Sequence, residues 1–386
     1  NEYFKGLVEA YSTAKDDEKL KDIILNLYKF SMSGPWPESW LIEKAEEFNI
    51  NTLEELDKTK WVEILKDNIR VEVEGFINMY HKAIEIISDT EGLEAYLDTF
   101  RGDLECLENV YESLNYGLSE IYAALNGVVF TKLKTVRKSA VSDENAQGTV
   151  KSIRDTVKKK VKSLIEDSFT FTPEESLQGI KDVYPYMKEL SRITLDFLDK
   201  FNEKKREKNL LDFNDLEHLC LKILIDRDEN NNIIPSGVAE HFKEFFDEVL
   251  VDEYQDSNNV QETIIDLVSR KNSDDPNVFM VGDVKQSIYR FRQAKPELFL
   301  DKYSRYPLAS GGKERKIQLY KNFRSRDEVL RGVNFIFKMV MSNVVGELEY
   351  TDDEALHLGA TFLENKEEDS EVGGSIELHI IDKSGN

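Results

Sequence analysis

Apolar residues recur at helical spacing along the first half of the chain, as at Ile23, Ile24, Leu27 and Phe30, with Glu/Lys pairs at matching intervals between them. The pattern predicts an all-α region from residue 1 to about 205. One break interrupts it, Ser33-Gly34-Pro35-Trp36-Pro37-Glu38-Ser39-Trp40-Leu41, because proline removes a backbone donor and disfavours helix in the residue before it. The two tryptophans there are expected to plug a helix junction.

After about residue 205 short apolar runs alternate with helical stretches. Leu211 to Leu224 reads as an amphipathic helix through Phe213, Leu216, Leu219 and Ile223, followed by a turn at Asp228–Asn232 and a helix over Ala239–Phe246. Glu248–Asp252 and Asn277–Asp283 read as strands, separated by a helix capped near Asp256 or Ser257. Nearly all-apolar strands with a helix between them predict a parallel sheet covered on both faces, whose ligands gather beyond the carboxyl ends of the strands. Gly311–Lys316 reads as a hinge, Ile317–Tyr320 as a strand, and Ser325-Arg326-Asp327-Glu328 has capping-box spacing for another helix. Residues 346–374 are expected to form an acidic loop after which Ser375–Ile381 finishes as a strand.

Composition narrows the classes. The chain has 386 residues, 51 Lys and Arg against 75 Asp and Glu, and a formal net charge of −24. Such a charge excludes a basic nucleic-acid coat, so contact with a polyanion needs basic residues gathered on one face. Thr131 to Leu164 holds such a gathering: ten Lys and Arg, including Lys158, Lys159 and Lys160, against Asp143, Glu144 and Asp155. It is either a phosphate-tracking face or a solvated helix face beside a flexible loop at Ser142–Gly148. Cys106 and Cys220 stand far apart without metal-ligand spacing, and no apolar run reaches membrane-spanning length, so a cytoplasmic, unexported chain with no membrane partner is expected. The first residue is Asn rather than Met, which suggests a piece of a longer protein.

Three clusters carry the chemistry. Asp252 and Glu253 end the first strand, where one acid can hold Mg²⁺ and the other orient an attacking water, unless both are ordinary solvated caps. Asp283 and Gln286 end the second, and Tyr289, Arg290, Phe291 and Arg292 follow as alternating aromatics and arginines. That interleaving suits base stacking with phosphate neutralisation on a single strand, or else core aromatics with surface arginines. Arg324 lies at a strand-to-helix junction beyond the hinge, placed either as an arginine finger or as a simple salt-bridge partner.

Taken together, DEYQD (252–256), GDVKQSIYRFRQA (282–294) and NFRS (322–325), with LDFNDLE (211–217) upstream, resemble the motif II to motif IV stretch of UvrD/Rep-type superfamily 1 DNA helicases. KQSIYRFR and SGPWPESWL look most like the AddA-type subunits of bacterial AddAB helicase-nucleases. The clear resemblance covers about residues 211–335.

It implies an α/β, predominantly helical fragment of a P-loop NTPase with RecA-like lobes. Residues 1–205 would be the all-α accessory domain, 206–312 the rear of the first lobe and 313–386 the start of the second. Asp252 would coordinate Mg²⁺, Glu253 polarise the hydrolytic water, and Gln286 touch the γ-phosphate. Gln255 and Asp283 would belong to the ATP site, Phe323 lie near the adenine and Arg324 reach the γ-phosphate. Tyr289, Phe291 and Arg292 would line the single-strand path, with phenylalanine at 291 where many relatives carry tryptophan.

The implied partners are single-stranded DNA, duplex ends and an AddB-type subunit; the implied cofactors are Mg²⁺ and ATP. The sequence has no G-x-x-x-x-G-K-[ST] phosphate loop and no nuclease region, so neither cofactor is expected to bind this segment tightly, and negligible ATP hydrolysis is expected from it alone. A non-catalytic, truncated helicase-like protein that binds DNA or a partner is the alternative.

Overall fold

In the computed structural model the described residues are 1–12, 16–137, 141–343 and 348–362, with the single positions 377, 379 and 381. Most of the expected final strand over Ser375–Ile381, and residues 346, 347 and 363–374 of the expected acidic loop, lie outside them.

The first half is helical, as its periodicity predicts: α1 (Glu2–Tyr11), α2 (Glu18–Ser31), α3 (Pro37–Glu46), α4 (Leu53–Asp57), α5 (Lys60–Asp89), α6 (Leu97–Ser113), α7 (Leu118–Asn126), α8 (Glu144–Ser168) and α9 (Pro173–Glu207). Local chemistry starts these helices. Thr59 caps α5 through the Val62 amide, and Thr172 forms a reciprocal capping box with Glu175 ahead of Pro173 in the first turn of α9.

Along α5, Ile69, Val73, Phe76, Tyr80, Ala83 and Ile87 recur every three or four residues and are all buried. They share one core with Phe100, Leu104, Leu107 and Val110 of α6 and Val150, Val157 and Val161 of α8. A second region forms where α1, α2 and α3 pack on α9, with Leu7, Leu20 and Leu190 in one cluster and Tyr28, Met32 and Leu198 in another. The proline-rich break separates α2 from α3, and Trp40 packs against Phe30 across it with ring centroids 5.2 Å apart.

Lys205 joins α9 to the α/β part of the chain. Its ammonium is almost fully buried, reaches Asp212 at 3.0 Å and Asp215 at 2.6 Å, and lies 4.6 Å from the Phe201 ring centre. Burial alone would lower its pKa, but the two carboxylates outweigh that and lift it to about 12.

Next come α10 (Phe213–Leu224), the antiparallel pair β1 (Ile225–Arg227) and β2 (Ile233–Pro235), then α11 (Gly237–Phe245), β3 (Val249–Val251), α12 (Asn259–Val268), β4 (Val278–Met280) and α13 (Pro296–Arg305). Beyond lie β5 (Lys321–Asn322), α14 (Asp327–Val340) and β6 (His357–Leu358). β3 and β4 pair in parallel, Val249 opposite Val278 and Val251 opposite Met280, as strand-helix-strand alternation predicts.

Several expectations need correcting. The strands are not covered on both faces: Leu250 and Phe279, paired across the register, are 68% and 53% exposed, because no described element packs over that side of a two-stranded sheet. The predicted stripe of α10 is likewise open at Phe213, Leu216, Leu219 and Ile223, while Leu221 and Leu224 are buried. Ile317–Tyr320 is not assigned as a strand; the parallel pairing falls just after it, at β5 with β6, and reaches back only to the Tyr320 carbonyl, which accepts the His357 amide at 3.0 Å. Ser325 caps nothing, since α14 begins at Asp327 after Arg326. The cap of α12 is Asn258, in a capping box with Gln261, rather than Asp256 or Ser257. The turn at Asp228–Asn232 is where it is expected, but it closes a hairpin of two short strands, β1 and β2, that the sequence reading does not include. Ser142–Gly148 is not a loop throughout, because Asp143 caps α8 and the helix runs from Glu144.

Candidate functional site

The site forms where β3 and β4 end side by side. The Val281 amide donates to Val251 O at 2.8 Å and the Tyr254 amide to Val281 O at 2.9 Å, so the parallel ladder continues one step past each strand. This brings Asp252 and Glu253 next to Gly282 and Asp283. Both acids of the first pair are exposed, and the Glu253 amide donates to Asp252 Oδ1 at 2.9 Å. Glu253 stands in the left-handed region, with φ 48° and ψ 42°, a conformation that costs a non-glycine residue about 1–3 kcal/mol.

Gln255 is buried beside it. Its Nε2 donates to Glu253 Oε2 at 2.7 Å, and its Oε1 accepts the Asp283 amide at 2.9 Å. The side chain therefore ties the first acid pair to the end of β4. Glycine at 282 is required by space: an added Cβ would stand 2.5 Å from Gln255 Oε1 and 3.0 Å from the Phe299 ring.

Asp283 carries the connection onward. Its Oδ2 accepts Gln286 Nε2 at 3.0 Å, and its Oδ1 pairs with the Lys285 ammonium at 2.9 Å. Burial pushes this carboxyl up, but the contacts from Gln286 and Lys285 outweigh it and hold it below the usual carboxylate range. A continuous path of hydrogen bonds thus runs from Glu253 through Gln255 and Asp283 to Gln286. Asp256, next to it, is pushed up by burial and then by the Glu253 charge, and its Oδ1 is buried without a hydrogen-bond partner.

Tyr289, Phe291 and Arg292 follow on the surface, Phe291 being 73% exposed. The Arg292 guanidinium lies 5.2 Å from the Tyr289 ring centre and 5.6 Å from that of Phe291, and the two rings are 6.0 Å apart. These side chains face solvent and are not packed in a core of the described residues.

Phe323 and Arg324 sit apart from this path, between β5 and α14. Asn322 Oδ1 accepts the amides of Arg324 and Ser325, both at 2.9 Å, which turns the chain sharply. The Arg324 guanidinium is exposed and makes no hydrogen bond or ion pair with any described residue, so the salt-bridge alternative has no partner among them. The segment that leads to it is held by Tyr303 of α13, whose hydroxyl donates to Glu354 at 2.7 Å and accepts Gln318 Nε2 at 2.6 Å.

Lys158, Lys159 and Lys160 are exposed on α8, with Lys160 3.7 Å from Glu72. Not all of the basic run is available to a ligand: Arg154 is buried on Asp103, and Lys138 lies outside the described residues.

One group escaped sequence reasoning. Beneath the turn, Tyr254 is fully buried and its hydroxyl donates to Glu262 Oε2 at 2.5 Å. Glu262 also accepts from Lys271 and Lys302, each at 2.7 Å, and Lys302 reaches the same Tyr254 hydroxyl. No spacing rule links positions 254, 262, 271 and 302, since only the docking of α12 and α13 brings them together.

The donor chemistry at the strand end is compatible with the implied Mg²⁺. A single exposed carboxylate such as Asp252 suits Mg²⁺, which is commonly held by one or two carboxylates together with phosphates and water. No group of three or more His, Cys, Asp or Glu among the described residues forms a cage that could hold a metal unaided.

These features define a class. The UvrD/REP helicase N-terminal domain matches residues 39–307, and the chain belongs to that family, with a predominantly helical fold that combines a RecA-like α/β part and a large all-α accessory part. It is 58% identical over all 386 residues to the ATP-dependent helicase/nuclease A-subunit of Clostridium botulinum (strain Alaska E43 / Type E3). Over 383 residues, 99% of the chain, it is 59% identical to the protein of the same description from Clostridium beijerinckii, and 46% identical over 385 residues to that of Acetivibrio thermocellus. The chain spans about a third, 31%, of the length of each of these curated relatives. No helix among the described residues is long and apolar enough to cross a membrane.

Proposed function

We propose that this chain is part of an ATP-dependent DNA helicase and exonuclease subunit, cytoplasmic and paired with an AddB-type subunit, that unwinds and processes double-strand ends for recombinational repair. Residues 1–205 act as the accessory domain, 206–312 as the rear of the first motor lobe, and 313–386 as the opening of the second.

One observation carries this reading: the hydrogen-bonded path Glu253–Gln255–Asp283–Gln286 begins at paired carboxylates on a strand end and finishes three residues before an exposed aromatic and guanidinium surface. A motor needs such a connection between the group that orients water and the group that holds a base. In this scheme Asp252 holds Mg²⁺ with the nucleotide's phosphates, and the ion neutralises charge on the transferred phosphoryl group when bound. Glu253 takes the hydrogen bond of the hydrolytic water, Gln286 faces the γ-phosphate, and Arg324 approaches from the second lobe, with Phe323 against the adenine. Tyr289, Phe291 and Arg292 stack on and neutralise single-stranded DNA, while Lys158, Lys159 and Lys160 track phosphates.

The test is DNA-stimulated ATP hydrolysis by the full-length protein containing this segment. Glu253→Gln is expected to abolish turnover while leaving nucleotide binding intact, and hydrolysis that survives this change overturns the assignment. The chain of 386 residues alone is expected to hydrolyse ATP at background, because the water-orienting groups act only on a phosphate held in a cradle.

A further inference from the structure

The geometry points to Tyr254, Glu262 and Lys302 as positioning residues for hydrolysis: they clamp the turn that keeps Glu253 in its left-handed conformation and connect it to the helix beyond the DNA-facing surface. This inference rests on the reading of Glu253 as the group that orients water.

Strain supplies the first step. A glutamate at φ 48° persists only where its surroundings over-determine it, and an outlier of this kind on an exposed acid at a strand end marks a conformation kept for use. Two anchors hold it. One is Gln255, which grips the Glu253 carboxylate directly. The other is the next residue, Tyr254, pinned by its amide to Val281 O and by its hydroxyl to Glu262 and Lys302.

The second anchor is built at some cost. Glu262, Lys271 and Lys302 are each close to nine-tenths buried, and the Lys302 ammonium also lies 4.7 Å from the Tyr254 ring centre. Burying charges is expensive unless every one is paired, and replacing such a group by apolar residues often leaves stability unchanged or improved. A charged clamp here is thus poorly explained by stability alone. Its elements explain it better: Glu262 is on α12, directly after the turn, and Lys302 is on α13, directly after Tyr289–Arg292. A shift of α13 on engagement of DNA would move Lys302, and through Tyr254 the backbone of Glu253. None of the three need touch the nucleotide.

Tyr254→Phe is the discriminating variant, since it keeps the ring and its packing, removes only the hydroxyl, and leaves Glu262 paired with both lysines. In the full-length protein with saturating single-stranded DNA, kcat for ATP is expected to fall roughly 10- to 100-fold, with KM for ATP changed less than about threefold. Glu262→Gln is expected to give the same split. Amide hydrogen exchange on the 386-residue chain supplies a readout independent of turnover: Tyr254→Phe should speed exchange at residues 253–257 without affecting α5. Wild-type kcat and exchange in Tyr254→Phe, alongside an inactive Glu253→Gln, would overturn the clamp and leave the functional reading intact. Unimpaired turnover in Glu253→Gln removes the reading and the clamp together.

Discussion

Arg154 and Asp103 meet inside the helical region, with guanidinium Nε donating to Asp103 Oδ2 at 2.7 Å and both side chains almost wholly buried. Tyr80 donates to the same carboxylate oxygen at 3.1 Å, and Arg154 Nη2 also reaches the carbonyl of Thr131 at 2.6 Å. The pair therefore pins the segment after α7 against α8 and across to α5 and α6. Removing one partner leaves an uncompensated buried charge, so Asp103→Ala is expected to cost about 3–5 kcal/mol in urea denaturation. Replacing both by Leu and Met should recover most of that loss. A single variant as stable as the double would mean the charges are solvated.

That pair also marks how far the sequence could be read. Helices with one buried stripe, such as α5, are written in their periodicity, because a three- or four-residue repeat has one geometric solution. Asp252, Glu253, Asp283 and Gln286 were legible because two apolar runs end at them, and a parallel sheet brings its carboxyl ends together. Arg154 was misplaced among surface cations because a charge count cannot tell a solvated arginine from one folded onto Asp103. Leu250 and Phe279 were expected to be buried since their strands are apolar, yet apolarity records what a surface is suited to meet, and no described residue covers them. The Tyr254 cluster was illegible for a third reason: its members are separated by up to 48 positions and meet only through tertiary packing.

Glu253 trades stability for its conformation. Glycine adopts a positive φ without steric cost, so Glu253→Gly is expected to stabilise the fold by about 1 kcal/mol while removing the carboxylate. Chemical denaturation of the two proteins decides this. A destabilised glycine variant would mean that the bond from Gln255 to the Glu253 carboxylate is worth more than the strain.

Gly282→Ala tests the tie between the strand ends. The new methyl would meet Gln255 Oε1 and the Phe299 ring, forcing Gln255 away from the Asp283 amide. A loss of about 1–3 kcal/mol is expected, as for other overpacked sites, with faster amide exchange at Asp283. Unchanged exchange there would show that the bond to Gln255 survives the methyl.

Acid should weaken the clamp in a defined window. Burial pushes the Glu262 carboxyl up, but Lys271, Lys302 and Tyr254 outweigh this and hold it below its ordinary value; Asp266, bonded to Lys271 at 2.5 Å, also faces the cluster, and Glu297 and Asp301 line the cleft beside it. A depressed folded pKa contributes stability that is complete above the unfolded value of about 4.3 and declines as pH falls through the folded one. The stability difference between the wild-type chain and Glu262→Gln should therefore be constant from pH 7 to 5 and shrink below about pH 4. A constant difference down to pH 3 would contradict the assigned direction.

The two proposed DNA surfaces are separable by salt. Stacking is insensitive to ionic strength to first order, whereas each neutralised phosphate on a single strand contributes about −0.7 to the slope of log K against log[salt]. Phe291→Ala should weaken single-strand binding by about 1–3 kcal/mol, measured by fluorescence anisotropy, with the slope preserved. Neutralising Lys158, Lys159 and Lys160 should instead flatten the slope. Lys160 already lies 3.7 Å from Glu72, so its own contribution should be smaller than that of Lys158 or Lys159. If the triple variant keeps the wild-type slope, α8 is a solvated helix face and the phosphate contacts belong to the arginines beside Phe291. If Phe291→Ala alters the slope as strongly as it alters affinity, the aromatic acts by holding Arg292 in place, 5.6 Å from its ring, rather than by stacking on a base.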